Sequence, residues 1–337
     1  MHEATLYERL GECAVRCGLC RHNCTIADGN AGICGVRENS GGRLYSIFYG
    51  HPLAMASDPI EKKPLFHFKP ASQTFSIACA GCNFKCKFCQ NFEISQYSKN
   101  AFQGTSEAEI SPIEIVAHAK REKCASVSFT YTEPTVFFEY ALACADVAKK
   151  IDLANIFVTN GFMSRAAIDK MALLIDAANV DLKAFSEKTY KKVIGGELQG
   201  VLDSIAYLRE KKVWLEITTL VVPDLNDSTK ELQGIAEFIA KTGNEIPWHI
   251  SRFTPRYKMD KGEQTPIATL SRAYEIGKKA GLKYVYIGNA SVAGSENTAC
   301  YACGRTLIER RGFAVTKNRL VKKNRCPDCG ASMDGVF

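Results

Sequence analysis

Seven β-type runs separated by stretches of helical period predict an α/β fold with a parallel sheet across the middle of this 337-residue chain. Their spacing of about 25 to 35 residues is that of βαβ units. A composition of 46% apolar and 23% charged residues is that of an ordinary globular protein with one large core or two domains. In such a sheet, chemistry gathers at the C-terminal ends of the strands.

The strand runs are expected at 74–79, 126–131, 155–159, 179–183, 214–222, 248–253 and 284–287, from their β-branched and aromatic content. The helical stretches between them include 111–123, 135–150, 164–178, 228–241 and 269–280. Two cysteine-rich segments flank this repeat, so three domains are expected: 1–70, 71–290 and 291–337.

In the first, Cys17, Cys20, Cys24 and Cys34 lie in a stretch broken by Gly18, Asn23, Gly29, Asn30 and Gly32. Four thiolates on irregular backbone suit a metal, either zinc or a second iron–sulfur cluster, with Cys13 left over. Small buried fillers are the plainer reading. The run Arg43 to Tyr49 reads as a strand, and Asp58 to Phe68, with two prolines, as an ordered loop in which His67 is packed. At the other end Cys300-x2-Cys303-Gly304 and Cys326-x2-Cys329-Gly330 form two knuckles of a four-cysteine site, zinc before an auxiliary iron–sulfur cluster. A short hairpin joins them, over Thr306 to Arg311 and Gly312 to Val315.

Fifteen cysteines without a basic, apolar leader suggest a reducing cytosol and metal ligation rather than disulfides. No run is long enough to predict a membrane helix. The net charge of +7 is modest, and pairs such as Lys62-Lys63, Lys191-Lys192, Lys211-Lys212 and Lys322-Lys323 read as solvated faces, not a nucleic-acid groove.

The chemistry concentrates after the first strand, at Cys82-x3-Cys86-x2-Cys89. Three thiolates on one loop hold three corners of a [4Fe–4S] cube and leave one iron open, where closed clusters take four. Cys79 stands two residues outside this set, so a four-thiolate zinc or closed cluster is the competing arrangement. Later strand ends carry polar groups: Glu133 before Pro134, Thr159-Asn160-Gly161, and Asp181 with Lys183 on one strand face. Singly, these read as a helix start, a turn and an ion pair. Together, behind the cysteine loop, they read as a binding site.

The loop spacing, with Phe88 before its last cysteine, resembles the radical S-adenosylmethionine (SAM) superfamily. The segments Gly81 to Asn91, Asp58 to Phe68 and Tyr131-Thr132-Glu133-Pro134, with the terminal knuckles, resemble the AmmeMemoRadiSam-system proteins, near the pyruvate formate-lyase activating enzymes. The resemblance implies a partial (β/α)6 TIM-like barrel of the radical SAM type and a [4Fe–4S] cluster on Cys82, Cys86 and Cys89. It implies SAM contacts from Glu133, Thr159, Asn160, Asp181 and Lys183. Reductive cleavage of SAM to a 5′-deoxyadenosyl radical would then abstract hydrogen from a protein or peptide. The alternatives are radical modification or cobalamin-dependent methylation of a protein, small molecule or lipid, and a non-catalytic iron–sulfur module. The implied partners are an electron donor such as flavodoxin or ferredoxin, and AMMECR-like and Memo-like proteins. Two departures stand out. Val158 replaces an Asp of the activating enzymes, against a cation site, and Thr254 replaces a His that His249, expected on the opposite face, does not supply.

Overall fold

A computed structural model of the chain describes residues 1–96 and 109–337. Its centre is an eight-stranded sheet whose strands follow one another in chain order. They are β1 (Ala54–Pro59), β2 (Gln73–Ala78), β3 (Ser126–Phe129), β4 (Ala154–Thr159), β5 (Ala177–Asp181), β6 (Trp214–Val221), β7 (Trp248–Arg252) and β8 (Val285–Gly288). β2 to β8 are parallel and β1 is antiparallel to β2. β8 does not pair with β1, so the sheet is a partial barrel. All seven expected runs are strands, and the last adds a parallel edge beyond six.

The connecting helices are α1 (Pro112–Arg121), α2 (Phe138–Lys149), α3 (Arg165–Met171), α4 (Leu198–Glu210), α5 (Thr229–Thr242) and α6 (Ile267–Lys279). Serine caps set three starts: Ser111, in a reciprocal capping box with Glu114, then Ser164 and Ser228. α3 is much shorter than the expected 164–178, because Ala177 already pairs in β5. α4 starts at Glu197 with no side-chain cap, and no start signal announced it.

Strands covered on both faces are buried along nearly their whole length. The inward face nevertheless carries Asn179, Glu216, Thr218 and His249. These polar groups are matched by chain that enters the barrel from below. Ile60, Leu65 and Phe68 pack on Ala154, Ile156 and Ala177, filling the base. The amides of Phe66 and His67 donate to the fully buried Glu216 carboxylate at 2.9 and 2.8 Å, Trp214 Nε1 donates at 3.1 Å, and His249 Nε2 lies at 2.7 Å.

This changes the reading of 58–68. Asp58 and Pro59 close β1, where an edge strand tolerates proline, and Ile60–Lys62 form a 3₁₀ turn before the plug. A boundary at residue 70 would therefore cut the barrel sheet. His67 is packed: its Nδ1 donates to Asp334 O at 2.7 Å and its Nε2 accepts from Tyr286 OH at 2.6 Å.

The N-terminal segment forms two small antiparallel sheets, in which the Arg43 run gives only the strand Arg43–Ser46. It is bound to α2 by the buried pair Arg37–Glu139 at 2.8 Å. The C-terminal segment is a three-stranded sheet of Thr298–Ala299, Thr306–Arg311 and Ala314–Asn318, extending the expected hairpin. Among the described residues no helix is long and apolar enough to cross a membrane.

Replacing Glu216 by Ala strands four buried donors around one site. Denaturant unfolding should register a loss of about 3–5 kcal/mol. Burial alone would raise this carboxyl's pKa, but the His249 ring, His67 and the Phe66 amide lower it overall. A carboxyl so lowered contributes stability that is present above its ordinary value of 4.5 and lost as pH falls through the folded value. The wild-type urea midpoint should therefore fall more than that of Glu216→Gln between about pH 6 and about pH 3.

Candidate active site

A cavity of 310 Å³ opens at the C-terminal ends of the barrel strands. Cys82, Cys86, Cys89, Glu133, Thr159, Asn160, Asp181 and Lys183 all line it. Cys79 does not: it is fully buried just past β2, where burial and the nearby Cys144 push its thiol far up.

The cysteine loop is held by backbone rather than by its own side chains. Gly81 turns at φ +93°, and a Cβ there would lie 2.6 Å from Val36 and 3.0 Å from Cys34 O, so glycine is required. Lys85 N donates to Ile194 O at 2.7 Å and Lys87 N to Val193 O at 3.1 Å. Donors are already arranged around sulfur. Phe84 N lies 3.3 Å and Asn160 Nδ2 3.7 Å from Cys82 Sγ, and Ser95 Oγ lies 3.1 Å from Cys89 Sγ. Burial pushes the Cys82 and Cys86 thiols up, Cys86 to about 12. Three sulfurs with N–H and O–H donors at one cavity wall could hold an iron–sulfur cluster.

Glu133 ties two strand ends together. One carboxylate oxygen accepts from Thr135 N, Thr135 Oγ1 and Thr159 Oγ1 at 3.0, 2.6 and 2.7 Å; the other accepts from Asn160 N at 2.8 Å. Burial raises its pKa against those bonds. Thr159 thus spends its hydroxyl on Glu133, while Asn160 spends its amide on Asn83 Oδ1 at 2.7 Å and on Cys82. Asp181 and Lys183 pair at 2.8 Å at the end of the adjacent strand β5. Burial disfavours the Lys183 ammonium, but the neighbouring Asp181 carboxylate outweighs it and raises the Lys183 pKa overall. Val158 is an apolar part of the cavity wall.

The sequence reading missed a charged group here. Asp58 accepts from Lys62 Nζ at 2.8 Å, Lys63 Nζ at 2.7 Å, Ser76 Oγ at 2.8 Å and the Tyr131 hydroxyl. Burial works against its ionisation, yet Lys62, Lys63 and Tyr131 hold its pKa well below the carboxylate range. Lys63 is 1% exposed, with its pKa lowered by burial to about 8, and both lysines line the cavity. Lys63 is therefore not solvated, whereas Lys62 pairs with Asp58 from an exposed position. The available signal was Asp58 four and five residues before them.

A second cavity of 830 Å³ adjoins the first and shares Lys62, Thr218, Ser251 and Asn289 with it. His249 faces inward into this one and bonds Glu216, and β7 ends at Arg252, so strand alternation does not extend to Thr254. Its outer wall is Glu296 and Arg310 to Phe313 of the C-terminal sheet.

In that sheet the Sγ atoms of Cys300, Cys303, Cys326 and Cys329 all lie within 4.8 Å of one another. Two pairs stand at 3.6 and 3.7 Å, against the roughly 3.8 Å edge of a tetrahedron with 2.3 Å zinc–sulfur bonds. Gly304 and Gly330, at φ +74° and +76°, return their N–H groups to the Cys300 and Cys326 carbonyls. The thiols of Cys17, Cys20, Cys24 and Cys34 line a separate small cavity, and Cys13 is exposed outside it.

Residues 76–239 match the family model described as the radical SAM superfamily. The chain is 42% identical over 339 residues to a Methanocaldococcus jannaschii protein described as uncharacterized, spanning 100% of both. It is 22% identical over 219 residues to the pyruvate formate-lyase 1-activating enzyme of Escherichia coli, covering 61% of this chain and 89% of that one. Among solved structures, Streptococcus suis SuiB bound to precursor peptide SuiA shares the fold, with a TM-score of 0.50 at 16% identity over 69% of this chain and 52% of that one.

Metal analysis of the purified chain checks the C-terminal site. A Cys326→Ala, Cys329→Ala variant should lose about one zinc per chain with iron unchanged, whereas losing about four irons would mean a cluster there.

Proposed function

The chain belongs to the radical SAM superfamily, and from that premise we propose that it is an enzyme that generates a substrate radical on a protein or peptide. The observation that carries the reading is the meeting of three cysteine thiols with five strand-end polar groups in one 310 Å³ cavity. Cys82, Cys86 and Cys89 would hold a [4Fe–4S] cluster with SAM bound beside it. When bound, this cluster supplies one electron to the sulfonium, which breaks its S–C5′ bond to give methionine and a 5′-deoxyadenosyl radical.

The side chains orient and insulate. Glu133 lies beside the loop with one oxygen accepting a single bond, which leaves room for an ammonium donor. Lys183 and Lys63 offer charge to a carboxylate. Asn160 and the Phe84 amide donate to Cys82 sulfur, spreading its negative charge. Thr159 braces Glu133 in this reading and does not touch SAM.

For a protein substrate, support comes from the wider cavity, which opens beside the SAM pocket and is walled by Arg252, Arg311 and Phe313. A cavity that broad admits a chain segment. The Escherichia coli relative is named for activating another enzyme. A ferredoxin- or flavodoxin-type protein is the electron donor, and the AMMECR-like and Memo-like proteins are candidate partners.

Incubating the reconstituted protein with SAM and dithionite should release 5′-deoxyadenosine, and its absence would refute the enzyme reading. Cys82→Ala should abolish the product, while Cys79→Ala should retain it. Glu133→Gln should weaken SAM binding by roughly tenfold or more, read by equilibrium dialysis with the cluster intact. Mass spectrometry of candidate protein partners with and without the active chain tests the substrate class, and modification only of small molecules would overturn it.

A further inference from the structure

Cys17 ends a short strand, Cys20 and Cys24 lie in the connection to the next, Cys34 lies in a later turn, and all four converge on one cavity of 20 Å³. Cys17 and Cys34 are buried, and Leu19, Ile26 and Val136 complete apolar walls. Four thiols around a small closed space suit a metal centre far better than four separate fillers.

Their spacing distinguishes which centre. Among the described residues, the C-terminal four are the one group whose ligand atoms all fall within 4.8 Å. The N-terminal thiols, like Cys82, Cys86 and Cys89, do not all fall within that distance. A single zinc draws four sulfurs to about 3.8 Å from one another. A cube of four irons holds its thiolates wider, because each sulfur binds a different corner.

A second observation points into the same cavity. Arg37 is 2% exposed and lines it. Its Nη1 and Nη2 donate to Glu139 at 2.8 and 3.0 Å, and Nη2 also reaches Thr5 O at 3.1 Å. Its Nε has no partner. An N–H buried without an acceptor in a tightly satisfied network is the mark of a missing group. A cluster ringed by four thiolates carries net negative charge, and a guanidinium beside it offsets that charge and donates to sulfur.

We propose that Cys17, Cys20, Cys24 and Cys34 bind a second [4Fe–4S] cluster, closed by four thiolates and hydrogen-bonded by Arg37 Nε. It lies directly behind the SAM-site loop. Cys34 O packs on Gly81, His22 Nε2 lies 2.8 Å from Asn83 O, Cys20 bridges to Met163, and Thr135, which binds Glu133, lines its cavity. With four protein ligands it offers no iron to SAM.

The test uses the full chain, reconstituted without oxygen with ferrous iron and sulfide. Wild type should hold about eight irons and a Cys17→Ala, Cys20→Ala variant about four. A Cys82→Ala, Cys86→Ala, Cys89→Ala variant should also retain about four irons, with a reduced electron paramagnetic resonance signal that SAM does not alter. Adding Cys17→Ala and Cys20→Ala in that background should bring iron close to none. This arm stands whether or not SAM is cleaved at the other site, and it holds even if the wild-type fold tolerates the N-terminal changes poorly. An iron-free triple variant, an iron content that the two further changes leave unaltered, or zinc bound by the N-terminal four would each overturn the proposal.

Discussion

The arrangement depends on a carboxylate buried where a barrel would otherwise hold only side chains of its own strands. Glu216 sits on the inward face of β6 with no solvent, and such a charge is tolerable only with donors on every side. The amides of Phe66 and His67 supply them, which pins a loop inside the barrel. That loop fills the base and leaves the upper half open. The same turn then serves the C-terminal segment: Arg310 Nη2 donates to Phe66 O at 2.8 Å, and Val336 N to His67 O at 2.8 Å. One anion thereby sets the floor of the cavity and the seat of the neighbouring sheet.

Above that floor, positions are fixed by ties between strand ends rather than by single strands. Glu133 after β3 holds Thr159 and Asn160 at the end of β4, and Asn160 in turn reaches the sulfur of Cys82 after β2. Three successive strand ends are locked in one bonded chain. The Arg37–Glu139 pair adds a fourth contact from outside, through the helix that follows Glu133. Ordering of the thiol loop is therefore shared between the barrel and the N-terminal segment.

Local signals carried most of this into the sequence. The strand runs were legible because both faces are buried, and the cysteine spacings because metal ligation demands them. Serine caps marked α1, α3 and α5. What escaped were features that exist only through distant contacts. Lys63 looks like surface charge until Asp58 and Tyr131 close around it, and nothing local shows that 60–68 enters a barrel. α4 lacked a cap, and His249 could not be oriented without knowing where β7 ends. Arg37 is an ordinary arginine in the sequence; only its bidentate grip on Glu139 leaves Nε conspicuous.

The seam between β8 and the C-terminal sheet separates two kinds of inheritance. Chain that holds thiols and strand-end groups lies between Cys82 and Lys183, whereas the far wall of the wider cavity is Glu296 and Arg310 to Phe313, more than a hundred residues later. Tyr286, bonded to Thr298 Oγ1 at 2.9 Å, and the packing of Leu307 and Ile308 hold the two together. Residues 311–313 lie at an exposed hairpin tip, where substitution strains no core. The wall facing an incoming molecule can thus drift between lineages, or be redesigned, at small thermodynamic cost while the reactive centre stays unchanged.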